Sequence, residues 1–342
     1  MKQSVRYCLI FFGLCFVLVL FAITAIVISY PRYEAMTFPD GKKFAFTICD
    51  DTDRSTVENV KPVYDLLQEF NMRTTRAIWV YPTNDSTNWA NWGETLSDSL
   101  YRMFVLDLRD KGFEIASHGI RGGVSHREEI LAGMDYFKDV IGYYPRIHIN
   151  HSLNPDNIYW GRNKIELKPL RALYDLVMDR KLFAGHVPES EFFWADFVQK
   201  HIKYMVNFSF HEINIAAVNP LVPYHDPDKP FVKYWFHTSD GRAVNEFNDL
   251  LSPENLDQLE NEGGVCIVYT HFGFNFVENG VCDSTFTERI KDLASRDGWF
   301  VPASEILDYM IKHGQGGGDL SFTQRVYLEF RWLYEKLIYG ST

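Results

Sequence analysis

A chain of 342 residues with a formal charge of −11 exceeds what a minimal domain needs and suffices for one large α/β unit. Its 46% hydrophobic and 16% aromatic content marks a folded, core-rich protein, and acidity without a basic stripe argues against a nucleic-acid partner. Five cysteines, with Cys8 and Cys15 inside an N-terminal apolar run, do not make a disulfide framework; a Cys266–Cys282 bridge is left open, and Cys49 beside two carboxylates reads as a small core residue.

Lys2 and Arg6 precede an unbroken apolar run from Cys8 to Ser29. As a helix this run is about 33 Å long, enough to cross a bilayer and long for a signal-peptide core. The positive flank places residues 1–7 in the cytoplasm and the rest outside. The expectation is a single-pass transmembrane signal anchor over 8–29, with cleavage near Ala22–Ala25 as the alternative, and a linker over 30–38. Sequons at Asn84, Asn150 and Asn207 matter only in a host that glycosylates.

Residues 39–313 alternate strands and helices. The apolar stretch Phe44–Cys49 runs into Asp50, Asp51 and Asp53, as a buried parallel strand does when it delivers acids to its C-terminal end. Ser55–Glu58 has capping-box spacing ahead of a helix carrying Val60, Val63, Tyr64, Leu67 and Phe70. A strand follows at 74–81, a helix at 97–111 stopped by Gly112, and a strand at Phe113–His118. Ser125–Glu128 is a second capping box, and a strand at 146–151 comes after its helix. The middle third reads as a helix at 170–180, strands at 183–187 and 204–210, a proline-rich loop at 219–230 and a strand at 231–238. Helices at 252–261, 286–296 and 304–313 alternate with strands at 265–271 and 299–302. A glycine hinge at 314–318 leads to an amphipathic helix at 320–340, so 314–342 forms a C-terminal helical extension whose default is to dock on the domain. Seven or eight βα steps predict an α/β fold of the (β/α) barrel kind, distorted or seven-stranded.

The strand ends carry Asp50/Asp51, His118, His148/His151 and His271. One carboxylate with two imidazoles suits Zn²⁺ foremost, or Co²⁺, Mn²⁺ or Ni²⁺, and a second aspartate beside it can take a proton from water. Neighbouring residues on a strand point oppositely, so Asp50 and Asp51 share the site only if the strand has ended. Asp53 orients a ligand or caps the turn. His151 is a better candidate than His148, and His126, at a helix start, reads equally well as solvated. Tyr224-His-Asp226 lies in the long loop within reach of substrate.

Ile48-Cys-Asp-Asp51 resembles the Phe-Asp-Asp motif of the polysaccharide deacetylases with the NodB-homology barrel, carbohydrate esterase family 4. Phe113-Glu-Ile-Ala-Ser-His118 resembles their Glu-Ile-Gly-x-His strand, Tyr144-Pro-Arg-Ile-His148 falls where their Arg-Pro-Pro-Tyr strand lies, and Thr270-His271 resembles their late catalytic strand. Trp299–Glu305 resembles the closing strand and helix, so the series runs in order over about residues 40–312. The resemblance implies Asp50 as general base, Asp51 and His118 as metal ligands, and His271 as general acid for a leaving amine. The family's second histidine, four residues after the first, is Gly122 here, which leaves His126 or His151 to replace it. Asp53, Arg146 and Asn150 are the candidate substrate contacts. The expected function is a membrane-anchored, metal-dependent hydrolase removing N-acetyl, or secondarily O-acetyl, groups from a cell-surface glycan or its precursor. The alternatives are another metal-dependent amide or ester hydrolase, and an inactive barrel that only binds glycan.

Overall fold

The structure is a computed structural model and describes residues 30–178 and 182–340. The expected anchor over 8–29 lies outside these residues; among the described residues no helix is long and apolar enough to cross a membrane.

Seven parallel strands pair in sequence order: β1 (Phe44–Asp50), β2 (Thr75–Ile78), β3 (Glu114–Ser117), β4 (Ile147–His148), β5 (Tyr204–Phe210), β6 (Tyr234–Asp240) and β7 (Val265–Thr270). β7 returns to β1, from Ala45↔Val265 through Asp50↔Thr270, and closes the barrel. A hairpin of β8 (Val277–Glu278) and β9 (Val281–Cys282) follows, and β10 (Gly298–Phe300) pairs with the start of β1. Outside run α1 (Val57–Glu69), α2 (Ser99–Asp110), α3 (Arg127–Ile141), α4 (Lys168–Val177), α5 (Ala195–His201), α6 (Ile215–Val218), α7 (Val244–Leu250), α8 (Pro253–Glu262) and α9 (Ser284–Ser295). Then come α10 (Ala303–Lys312) and α11 (Phe322–Tyr339).

Alternation along β1 sorts its side chains. Phe44, Phe46 and Ile48 join the outer core beneath the helices, whereas Ala45 and Cys49 join the inner one. The inner positions of β1–β3 are small (Ala45, Cys49, Ala77, Ala116) because a seven-stranded bore is narrow. Phe38 with Ile306, Leu307 and Met310 of α10 extends this inner core, and α10 plugs the lower end. The same parity places residues 51 and 53, 118, 151, and 269 and 271 on the inner side at the upper ends of β1, β3, β4 and β7. This decides between His148 and His151, which lie three positions apart: His148 faces outward, onto Ser117 Oγ (3.2 Å) and the Trp194 ring.

Several expectations shift. The strand predicted at 146–151 is two residues long, and 183–187 forms turns whose amides bond back to residues 155–157 and 184. Both capping boxes start one residue later: Asn59 pairs reciprocally with Thr56, and Glu129 accepts from the His126 N–H (3.1 Å). Cys266 and Cys282 are free thiols, Cys266 bonding Ser239 instead. Tyr224-His-Asp226 lies at the lower end, where Tyr224 bridges to Trp235 near the start of β6, so it does not reach the upper ends of the strands. The predicted C-terminal helix docks: Trp332 of α11 packs on Phe208 of β5 and stacks on Tyr174 of α4.

Candidate functional site

A cavity of about 590 Å³ opens at the upper end of the barrel, with Asp53, His151, Tyr269 and His271 at its floor and Trp89 and Trp160 on its walls. The loop after β7 crosses the β1 loop so closely that a Cβ on Gly273 would lie 2.6 Å from the Asp53 carbonyl, so the two loops pass in direct contact there.

The two aspartates that end β1 part company. Asp50 still belongs to the strand, so its carboxylate turns outward. There it accepts from Arg76 and from Tyr64 Oη (2.7 Å) on one oxygen and from the Phe272 N–H (2.8 Å) on the other. Burial raises its pKa even against the Arg76 charge. Asp51 turns inward: Oδ1 accepts the Thr52 N–H (2.7 Å) and lies 2.9 Å from His118 Nε2, and Oδ2 accepts from Tyr269 Oη (2.7 Å).

The ring tautomers below the cavity follow from their outer partners. His118 Nδ1 meets the Ile149 carbonyl at 3.0 Å, which can only accept, so Nδ1 carries a proton and Nε2 is the nitrogen turned toward the cluster. His151 Nε2 meets Asn91 Oδ1 at 2.8 Å. Asn91 is itself oriented, because its Nδ2 donates to two acceptors of Asp85 at 3.2 Å, so His151 donates from Nε2 and leaves Nδ1 bare. The two inward nitrogens, His118 Nε2 and His151 Nδ1, stand 3.1 Å apart. Asp53 Oδ1 lies 3.4 Å from one and 3.3 Å from the other, buried and without a hydrogen bond. With His118 neutral, three lone pairs converge on one point, and Asp51 Oδ1 lies beside them, 2.9 Å from His118 Nε2; either a second proton on His118 or a bound cation completes such a group.

The spacing fits a metal ion. Tetrahedral coordination with bonds of about 2.05 Å separates ligand atoms by about 3.3 Å, and the three separations are 3.1, 3.3 and 3.4 Å. Among the described residues these three side chains form the one such donor group. Each histidine is held through its other nitrogen, as metal-binding imidazoles are. The electrostatics agree. Burial raises the Asp53 pKa, but His151 and His118 hold it well below the carboxylate range. Burial lowers that of His118, yet Asp51 and Asp53 push it up to about 10, so the site favours positive charge and a proton on Nε2 competes with a metal ion for the same place.

His271 faces the cluster from the opposite wall. Its Nδ1 meets the Arg242 carbonyl at 2.9 Å, and its Nε2 lies 3.2 Å from Tyr269 Oη, 3.7 Å from Asp51 Oδ2 and 3.9 Å from Asp53 Oδ2.

The structure thus brings together Asp51, Asp53, His118, His151 and His271, and leaves out Asp50, His126 and Arg146. His126 is half exposed, 3.2 Å from Glu191 and stacked on Phe192. Arg146 precedes β4 and so lies at the lower end, bound to Ser304 and Asp308 of α10. Asn150 borders the cavity, but its amide is engaged with the Ile158 backbone (2.9 and 3.0 Å). Sequence reasoning missed Asn91 and Tyr269. Gly122 held the clue to Asn91: a Cβ there would meet the Asn91 carbonyl at 2.8 Å, so Asn91 fills the space a side chain at 122 would take.

No family model and no curated protein matches the chain. Among solved structures, the chain is similar to the allantoinase PuuE, with a TM-score of 0.50 and 12% identity over 84% of this chain and 96% of that one. Two further crystal structures, described as polysaccharide deacetylases from Mycobacterium smegmatis and Pseudomonas aeruginosa PAO1, match with TM-scores of 0.48. The first has 13% identity over 83% of this chain and 96% of that one; the second has 11% over 82% and 95%. At this level of identity the likeness is one of fold, and the chain has the closed seven-stranded parallel (β/α) barrel that its sequence led one to expect.

Proposed function

We propose that the protein is a metal-dependent hydrolase that removes acetyl groups, N-acetyl foremost, from a glycan. The observation that carries this reading is the convergence of three potential ligand atoms from Asp53, His118 and His151 at tetrahedral spacing on a cavity floor. A first-row divalent ion held there, Zn²⁺ by the nitrogen and oxygen donor set, supplies Lewis-acid polarisation of an amide carbonyl and a more acidic water.

The chain's own groups take the remaining roles. Asp51, inward and beside the cluster, is the general base in place of Asp50, whose carboxylate turns outward to Arg76, Tyr64 and the Phe272 N–H. Tyr269 and the Thr52 N–H fix the Asp51 carboxylate. His271, held by the Arg242 carbonyl, directs Nε2 into the cavity and gives the proton to the leaving amine. Trp89 and Trp160 offer flat apolar walls that suit a sugar ring. The likeness to an allantoinase keeps another amide hydrolysis in view as the second reading.

In this reading residues 8–29 anchor the chain and hold the barrel on the extracytoplasmic side; a C-terminal reporter active only in the cytoplasm would overturn that placement. The enzymatic reading is tested by metal content of the full chain and by release of acetate from N-acetylated chitooligosaccharides. About one first-row ion per chain, lost in Asp53→Asn and His151→Ala, is expected. Failure to bind Zn²⁺, Co²⁺, Mn²⁺ or Ni²⁺ on reconstitution would sink it in favour of a glycan-binding barrel.

A further inference from the structure

α11 carries its charge on the wrong side for a helix that faces water. Its two glutamates point inward. Glu329 accepts the Glu166 and Leu167 N–H groups (2.8 and 3.1 Å), and Glu335 accepts that of His211 (2.7 Å) and pairs with Arg331 (2.8 Å). Every exposed residue of this helix is uncharged. Phe330, Tyr334, Leu337 and Ile338 are 45, 54, 46 and 59% exposed and recur at i, i+4, i+7 and i+8, one stripe along the outer face. α4, packed on α11 through Tyr174 and Trp332, adds Leu173 and Leu176, 41 and 78% exposed. An apolar surface of this extent on a chain with net charge −11 marks an interaction site.

The position of the stripe identifies what covers it. The apolar stretch 8–29 leads directly into Tyr30, whose ring sits 4.0 Å from that of Tyr327. Tyr327 is three residues before Phe330 and one turn along the same stripe. At the far end, Lys336 and Gly340 border the cavity mouth. The helix therefore runs from where the apolar stretch enters the domain to where the cavity opens. A domain standing on its lower end would hold that mouth about 20 Å farther from the entry point, by the rise of the helix between Tyr327 and Gly340.

We infer that the α11 stripe, with the α4 leucines, lies along the surface of the bilayer that residues 8–29 enter. The inference rests on reading 8–29 as an anchor. Aromatic and aliphatic side chains without charge suit the boundary between headgroups and acyl chains. Lying on this side, the barrel opens its cavity at headgroup level, and its substrate is an acylated glycan attached to a lipid.

The test places the photo-crosslinking residue p-benzoylphenylalanine at Tyr334 or Ile338 of the full chain in phospholipid nanodiscs, with Leu100 of α2, 72% exposed, as control. The expected result is phospholipid adducts at 334 and 338 and none at 100. Adducts to residues 8–29 or to a second copy, or none above the control, overturn the inference. Alkaline extraction separates the two failures: a chain washed from the membrane refutes the anchor, whereas one that stays but yields no lipid adduct refutes the docking alone. Tyr334→Glu with Ile338→Glu is expected to lose the lipid adducts and to lower turnover of a lipid-linked acetylated glycan, leaving turnover of a soluble oligosaccharide unchanged. Equal turnover of both by this variant refutes delivery from the membrane.

Discussion

The two ends of the barrel are both rich in charge and are built on opposite rules. At the lower end donors meet acceptors: Arg146, Lys203 and Tyr204 converge on Asp308. At the upper end the inward nitrogens of His118 and His151 face an Asp53 oxygen that has no hydrogen bond, a group that needs a proton or a metal ion to complete it. A cluster that satisfies itself is a clamp, and one that cannot do so is a binding site. The same contrast separates two aspartates three residues apart, because Asp50 at the end of β1 is saturated by Arg76, Tyr64 and Phe272 while Asp53 beyond it is not.

The sharpest way to break this comparison is Asp53→Asn. It removes the carboxylate charge and one of its two oxygens, leaving at most a neutral amide donor, and the bound metal is expected to go with them. Metal catalysis contributes several kcal/mol of transition-state stabilisation, so acetate release by the folded variant falls by about 10³-fold or more. A variant that keeps full metal content would show that the cluster is not the metal site.

Asp50→Ala tests the other half. It leaves Arg76 buried without its partner, and breaking such a pair costs about 3–5 kcal/mol, measured by urea unfolding. Metal content of the folded fraction is expected to remain near wild type. A loss of metal with unchanged stability would return Asp50 to the site.

A third test concerns a carboxyl of the upper end that is buried without being used. Asp156 is buried with Oδ1 unpartnered, and burial pushes its pKa up to about 7. A folded pKa above the unfolded value contributes stability at low pH that is lost as the pH rises through about 7. Wild type is therefore less stable at pH 8 than at pH 5.5 on this account. Asp156→Asn removes that slope and stabilises the chain at pH 8 by on the order of 2–3 kcal/mol. An unchanged slope would show that the carboxyl ionises freely.

Asn91 probes the support of the site. Asn91→Ala removes the acceptor that fixes the His151 tautomer, and losing such a partner typically weakens metal affinity by about 10–100-fold. Competition with a chelator reads this directly, and unaltered affinity would mean that the His151 ring is held by packing alone.

How much of this was legible follows from parity and reach. The barrel was readable because its strands are continuous apolar runs ending in polar residues, and Tyr204–Phe210 and Val265–Thr270 match their expected spans almost residue for residue. Which acid faces the bore was also written in the chain, since small residues at 45 and 49 mark the inner positions and the series continues to 51 and 53. The family motif, which pairs adjacent aspartates, obscured it. Asn91 and Tyr269 were not legible, because their roles depend on a loop crossing and on a hydroxyl reaching a carboxylate from another strand. Helices α5, α6 and α7 are too short for periodicity to register.

The smallest expected effect discriminates between two histidines that the sequence left as rivals for the place of Gly122. His126 and His151 both follow the His118 strand within the next βα step, and spacing does not separate them. Geometry does. His151 lies on the inner parity of β4 and is buried against His118, whereas His126 caps α3 with its side chain about half exposed and its nearest charge on Glu191, itself exposed. An exposed pair of this kind contributes about 0–1 kcal/mol. His126→Ala is therefore expected to leave metal stoichiometry intact and to shift stability by no more than about 0.5 kcal/mol. If His126→Ala released the metal while His151→Ala retained it, the α3 loop would have to fold inward on metal binding, and the donor set drawn from the upper end of the barrel would be replaced.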